Sequence, residues 1–442
     1  MVSSPAPPLP LRQSRILRLW WPLAASWLLM GVEMPLFAAV VARFPDPEVH
    51  LAAHGSLVFP LALVIEAPII MLLAASTVLC TDWISYRKLY RFMMVAGAAL
   101  TAVHLAVAFT PLYYVVARDL IGVPTEVVEP ARWGLQIMTP WTWAIAHRRF
   151  NQGILIRFER SRIVGLGTVV RLVANAGVLT LGSIHRGFPG IVVGTAGIAA
   201  GVIAEAVFIA WFVRPVVRER LAGVQPAGEP LTRRAFLHFY VPLALTPLLT
   251  LLVQPLSAMA MSRMPRSLSS LAAWPAVYGL VFMLRSLGFA FNEVVVTLLG
   301  EPGAERALRR FATGLALATS GVLLALGVTP LAELWFRSVS GLPPELAGLC
   351  RTAVLLAVLM PGYAALQSWY QGALVHSKRT RGITEGVALY LHVAGAGLIV
   401  GALWDAYTGI HFTLVTLSTA GVAQTLWLAW RRRALRRAGP AG

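Results

Sequence analysis

Residues 22–53 read PLAASWLLMGVEMPLFAAVVARFPDPEVHLAA, and residues 242–273 read PLALTPLLTLLVQPLSAMAMSRMPRSLSSLAA. Pro22, Leu23 and Ala24 meet Pro242, Leu243 and Ala244. Pro35 meets Pro255, Arg43 meets Arg263, Pro45 meets Pro265, and Leu51-Ala52-Ala53 meets Leu271-Ala272-Ala273. Outward from this stretch Thr77 pairs with Thr297, one residue is lost, and the register resumes at an offset of 219. Arg91-Phe92 then aligns with Arg310-Phe311, Thr110-Pro111-Leu112 with Thr329-Pro330-Leu331, and Arg118 with Arg337. Gly122, Glu126 and Arg132 align with Gly341, Glu345 and Arg351, and Gln152-Gly153 with Gln371-Gly372. Chance does not hold one offset over so many positions, so the chain is two homologous halves.

With 57% hydrophobic and 13% charged residues and a mean hydropathy of +0.71, the chain is far from soluble averages of about 45–50% apolar and 25% charged. It reads as a polytopic membrane protein. Apolar runs of the roughly 20 residues a bilayer demands lie near 17–41, 51–80, 90–110, 131–147, 163–184 and 190–213, then near 236–262, 271–299, 311–331, 346–369, 383–404 and 410–430. That gives twelve spans, six per half. The runs are continuous rather than alternating, which excludes barrel strands. Lipid then leaves only an all-α bundle, because the backbone must satisfy itself. The first run is too long for a cleaved signal segment and contains Glu33, and its Pro22 and Pro35 recur in the seventh, so it reads as a retained helix.

Lys and Arg set the orientation. On the side of both termini the sequence places 27 of them and on the opposite side 8, with Arg171 and Arg285 inside spans. Both termini are therefore expected in the cytoplasm of a cell with an inner membrane. The net charge of +18 is loop charge facing anionic lipid rather than a nucleic-acid surface. The expected divisions are a six-helix lobe over 1–213, a cytoplasmic linker over 214–235 and a second six-helix lobe over 236–442 with a basic tail.

Six is even, so the second copy starts on the same side as the first, and the repeats are parallel. Parallel repeats about an axis along the membrane normal are transporter architecture, with the substrate path at their interface. Cys80 and Cys350 fall at unmatched positions and toward opposite faces, so no disulfide is expected. No Gly-rich phosphate loop, Walker sequence, nucleophile elbow, paired His or magnesium-holding acidic cluster appears. Neither an enzyme nor a bound metal or cofactor is expected. The driving force is then an H+ or Na+ gradient, or the substrate's own.

An ionisable side chain at a helix centre costs about 2.5–3.5 kcal/mol on insertion scales, so such residues mark function. Glu66 lies halfway along the second span and Arg285 halfway along the eighth, on matching helices at matching depth. They are expected to face each other or share a water-filled cavity, with Arg285 binding an anionic group and Glu66 as its competing partner; a static ion pair is the bland alternative. Glu33 precedes the helix-bending Pro35, and Asn292-Glu293 lie in the inner third of the eighth span. Either acid is a candidate carrier of a proton or cation, against plain interfacial or snorkelling roles. Arg171, with Asn175 one turn on, is the other buried basic candidate, against snorkelling to the headgroups. Gln152 and Gln371 read as helix-end devices. Glu205 and Glu385 are minor lining candidates.

Several motifs carry a resemblance. In the first half these are Met94-Val95-Ala96-Gly97-Ala98 after a basic loop, Tyr113-Tyr114 followed by Leu120, and Gly153-Ile154-Leu155. In the second they are Pro242-Leu243-Ala244-Leu245, Pro255, Ser262-Arg263 and Asn292-Glu293. With two six-span lobes and proline-bent first and seventh helices, the chain resembles the multidrug/oligosaccharidyl-lipid/polysaccharide (MOP) superfamily, and within it the progressive ankylosis protein family. The resemblance implies V-shaped MATE-like lobes that alternate access and move a solute outward, and it carries a second-lobe Glu onto Glu293. The first-span Asp that multidrug and toxic compound extrusion proteins use for cation coupling has no match here, Glu33 being a different acid. Arg nearly excludes Lys, with only Lys88 and Lys378, as in bacterial chains from GC-rich genomes.

The expected function is a secondary transporter exporting a small organic or phosphate-bearing anion, working as a monomer. A MATE-type H+- or Na+-coupled multidrug or cation exporter, a lipid-linked oligosaccharide flippase, and a membrane scaffold or enzyme are the alternatives.

Overall fold

Prolines and small residues within the apolar runs decide where the helices bend, and the helices decide the rest. The computed structural model describes residues 11–226, 231–377 and 379–437. The first half contains α1 (Gln13–Val41), α2 (Pro47–Leu79), α3 (Trp83–Phe109), α4 (Thr125–Ile137 followed by Thr139–Arg157), α5 (Ser161–His185) and α6 (Gly190–Arg220). The second contains α7 (Arg233–Ser262), α8 (Ser267–Leu298), α9 (Ala304–Val328), α10 (Pro344–His376), α11 (Arg381–Trp404) and α12 (Gly409–Arg437). α1 breaks at Val32, just before Pro35, where a proline lacks the N–H and crowds the preceding turn. α4 breaks at Met138 ahead of Pro140, and α10 near Ala357 ahead of Pro361.

Eleven helices among the described residues are long and apolar enough to cross a membrane; α4 is not among them. Charge is only part of the cause: besides Glu126, Glu129, Arg132, Arg148, Arg149 and Arg157, the stretch between the charges carries Gln136, Thr139, Pro140, Trp141, Thr142, Trp143 and His147, which keep it weakly apolar. The fourth apolar run ends at 147, which puts Arg148 and Arg149 among the expected terminal-side loop charges. Instead the helix runs on to Arg157 with Arg148 buried, which leaves 25 basic residues on the terminal side against 8, so the bias survives. Gln152 likewise lies inside α4 rather than at a helix end. The stretch 214–235, expected as linker, is helical to Arg220 and again from Arg233.

The repeat is carried down to single hydrogen bonds. Arg132 Nε donates to the Ala108 carbonyl at 3.2 Å, and its counterpart Arg351 Nε donates to Gly327 at 3.0 Å. Left-handed residues recur as pairs: Asp46 with Arg266, Gly122 with Gly341, and Arg186 with Asp405.

Two further twins join the halves at the face opposite both termini. Arg43 Nη2 donates to the carbonyls of Ser338 (2.9 Å) and Val339 (3.0 Å), while Arg263 donates to those of Leu120 and Ile121 (2.8 Å each). Those carbonyls end the π-helical turns Val115–Ile121 and Leu334–Val339, where helix carbonyls lack intrahelical partners and the helix dipole favours a cation. Each arginine thus caps a helix end of the other half. Gly341, at φ 69°, leaves room for this: a Cβ there would stand 2.9 Å from Arg43 Nη1.

Toward the terminal face the first helix of each half crosses to the other. Ile16, Trp20 and Ala24 of α1 pack in one cluster with Phe291, Val294, Val295 and Trp369, and Trp20 Nε1 donates to the Leu287 carbonyl at 2.9 Å. Symmetrically, the Tyr240 hydroxyl of α7 donates to the Pro68 carbonyl at 2.6 Å, and the Phe236 and Tyr240 rings meet Phe92 edge-on.

Candidate functional site

In the first half, the space between α1, α4, α5 and α6 is filled by charges that cancel. Arg171 on α5 grips Glu33 on α1 with two nitrogens, Nε standing 3.0 Å from Oε1 and Nη2 bonding Oε2; Asn175 Nδ2 donates to the same Oε1 at 3.1 Å. Behind them, Glu205 on α6 accepts from Arg148 Nη1 at 2.6 Å and Gln152 Nε2 at 2.9 Å, with Arg171 Nη1 at 3.9 Å. All six residues are at most 8% exposed. Buried carboxylates demand such pairing, since desolvation otherwise exceeds any gain. Glu66 sits beside this group and takes a hydrogen bond from the Trp141 indole N–H. Among the described residues it has no ion pair, although Arg148, Arg149 and Arg171 lie close enough for their charge to act on it.

In the second half the corresponding space is open. A cavity of about 350 Å³ is lined from α7, α8, α10, α11 and α12 by Arg285, Tyr278, Phe289, Tyr363 and Tyr390, with Gln254, Gln367, Gln371 and Gln424 completing its polar wall. The Arg285 guanidinium stands 5.5 Å from the Phe289 ring centre and 5.7 Å from that of Tyr363, within cation–π range. Among the described residues no carboxylate pairs with it; tyrosines supply the groups that act on it. Arg285 Nε and the Tyr363 hydroxyl are buried without hydrogen-bond partners.

The two sites occupy equivalent positions. By the repeat register Arg148 corresponds to Gln367, Gln152 to Gln371, Arg171 to Tyr390, Glu205 to Gln424 and Trp141 to Met360. One position in the fold has thus been built twice, once as a closed ionic cluster and once as a cavity holding a single cation.

The structure therefore brings Glu33, Arg171 and Asn175 together, and excludes snorkelling for Arg171. It does not pair Glu66 with Arg285: each points into its own half, Glu66 toward Trp141 and Arg285 among aromatic rings. Asn292 ties α8 to α10 through the Ser368 carbonyl (3.3 Å), whereas Glu293 is exposed and lies outside the cavity lining. Glu385 bonds Arg381 and Arg431 at the terminal face. Arg148, Trp141 and the tyrosines Tyr278, Tyr363 and Tyr390 were not among the expected site residues. The available signal was the set of repeat positions where polar residue types disagree, which includes Arg148, Arg171 and Glu205.

With this geometry in view, comparison with known proteins identifies the class of fold. No protein-family model matches the chain, and no curated protein sequence matches it. Solved structures do. An inward-facing multidrug resistance MATE-family transporter of the MOP superfamily aligns with a TM-score of 0.73 at 14% identity, over 96% of this chain and 99% of its own. The lipid II flippase MurJ, in an inward closed conformation, aligns at 0.68 and 14% identity over 93% and 87%. A MOP-superfamily transporter from Pyrococcus furiosus, described as having a binding pocket of reverse polarity that suggests a different function, aligns at 0.64 and 16% over 96% of each chain. The chain has the all-α membrane fold of the MATE-like transporters. These neighbours carry the superfamily resemblance and not the narrower one to the progressive ankylosis proteins.

Proposed function

We propose that this protein is a secondary transporter that exports a small organic or phosphate-bearing anion by alternating access, with the second-half cavity as the substrate site. The observation that carries this reading is Arg285: a guanidinium deep in a span, facing a cavity, with no carboxylate partner among the described residues. A cation so placed is costly unless an anion answers it. A cationic drug would meet net positive charge here. The Pyrococcus furiosus neighbour, whose pocket is described as reversed in polarity, supports the idea that this fold accommodates such inversion.

The first-half cluster serves coupling in this reading. Glu33 and Glu205 are held by arginines, whereas Glu66 has only a neutral indole donor, so Glu66 is the carboxylate free to take up H+. Glu33, Arg171 and Asn175 fix α1 against α5, and Asn292 fixes α8 against α10; Glu293, exposed and outside the cavity lining, is an acid toward the inner end of α8. The chain acts as a monomer in the cell membrane with both termini in the cytoplasm.

Anion efflux from proteoliposomes tests both assignments. Arg285→Gln should reduce flux at least about tenfold, the loss of one charge-assisted contact, and Glu66→Gln should flatten the dependence of flux on pH. Wild-type flux in Arg285→Gln removes the substrate-site assignment, and an unchanged pH profile in Glu66→Gln removes the coupling one.

A further inference from the structure

The second-half cavity is more selective than a general anion site. Arg285 is the only charged side chain among its described lining residues, and two positions where its first-half counterpart holds arginine, 171 and 148, are here Tyr390 and Gln367. A single positive charge neutralises a single negative one. A phosphate dianion or a pyrophosphate would leave uncompensated charge at membrane depth, where it is expensive, and a cation would add to the charge already present.

The hydrogen-bonding inventory points the same way. Among the described residues Arg285 Nε and the Tyr363 hydroxyl are buried without hydrogen-bond partners, on two side chains that line the same cavity, while Tyr278 already hydrogen-bonds the Arg285 side chain; a carboxylate is a pure acceptor with two oxygens. The nearby amide of Gln367 is already committed, its nitrogen lying 3.1 Å from the Gly421 carbonyl, 3.2 Å from Gln424 Oε1 and 3.1 Å from Thr425 Oγ1. It shapes the wall rather than adding a donor. Around these two donors stand the rings of Tyr278, Phe289, Tyr363 and Tyr390, flat apolar surfaces that favour aromatic neighbours in offset or edge-on contact. A bare oxyanion would leave those rings unmatched, while the cavity's volume of about 350 Å³ lies in the range of sites for small organic ligands.

Resting on the anion reading above, we infer that the substrate is an aromatic monocarboxylate, its carboxylate bridging Arg285 Nε and the Tyr363 hydroxyl and its ring lying among Phe289, Tyr278 and Tyr390. The test is thermal stabilisation of the purified full-length protein by benzoate, acetate, inorganic phosphate, pyrophosphate and benzylammonium, each titrated separately. Benzoate should stabilise at the lowest concentration. Arg285→Gln should weaken its binding on the order of 10- to 100-fold and Tyr363→Phe, which keeps the ring and removes only the hydroxyl, about 3- to 10-fold. Matching melting temperatures of the ligand-free variants and wild type show that both fold. Acetate binding as tightly as benzoate, or phosphate or pyrophosphate binding more tightly, overturns the aromatic monocarboxylate while leaving an Arg285-dependent anion site in place. Tightest binding of benzylammonium, or benzoate binding unchanged in Arg285→Gln, overturns the anion reading as well.

Discussion

In the first half, the ring of Arg148, Arg171 and Glu205 packs charge against charge; in the second half Gln367, Tyr390 and Gln424 stand at the same positions around an open cavity. The backbone at the two places is one design, with the same helix breaks in α4 and α10 and the same arginine-capped turns at the face opposite the termini. The comparison teaches that this fold needs its interhelical space bounded rather than filled in one particular way. Once the gene was doubled, one copy could close on itself and the other stay open. It also separates two kinds of buried arginine. Arg171 is held by Glu33 and approached by Glu205, whereas Arg285 faces rings and a vacant volume.

If the first-half cluster is structural, breaking it has the largest effect. Glu205→Ala leaves Arg148 buried without its partner, and should cost about 3–5 kcal/mol of stability, the usual penalty for an uncompensated buried charge. The double change Arg148→Gln with Glu205→Gln imports the second-half residues and should cost less than the sum of the single changes by about 1 kcal/mol or more. Thermal unfolding in detergent measures both; additive losses would show that the cluster is not a unit.

Much of this organisation was legible in the sequence, because a duplicated pattern of prolines, glycines and basic residues reports the scaffold directly. The charges of α4 hid the rest. Arg148 and Arg149 interrupt the apolar run at 147, and hydropathy assigns adjacent arginines to water unless their partners are known. The partner of Arg148, Glu205, lies 57 residues away in sequence, and Gln152, which bonds the same carboxylate, is 53 residues from it, so only the fold brings them close. Glu33 and Arg171, 138 residues apart, were each recognisable by depth but not as a pair. The cavity was less visible still, since tyrosines and glutamines in apolar runs raise no alarm. Only Arg285 marked it.

The capping arginines test the part of the scaffold the two halves share. Arg43→Ala and Arg263→Ala should each weaken the protein by about 1 kcal/mol, and by similar amounts, because each removes two hydrogen bonds to the other half and one to its own helix from an exposed guanidinium. In the double variant, spin labels on the two halves at that face should show a longer distance. Strongly unequal effects would break the equivalence of the twins. The smallest stability effect is expected at Arg285 itself: Arg285→Gln strands no partner, so the ligand-free protein should change by less than about 1 kcal/mol or gain stability. A loss of several kcal/mol, comparable to Glu205→Ala, would mean that Arg285 is a structural charge and that the two halves do not differ in kind.

We propose that the open second-half site, and not the first-half ionic cluster, receives the substrate. Its most direct test is a crystal structure of the protein with 4-bromobenzoate, in which anomalous scattering locates the bromine. One bromine is expected among Phe289, Tyr278 and Tyr390 with the carboxylate on Arg285; a bromine beside Arg171 and Trp141, with none in the second-half cavity, would overturn the second-half site.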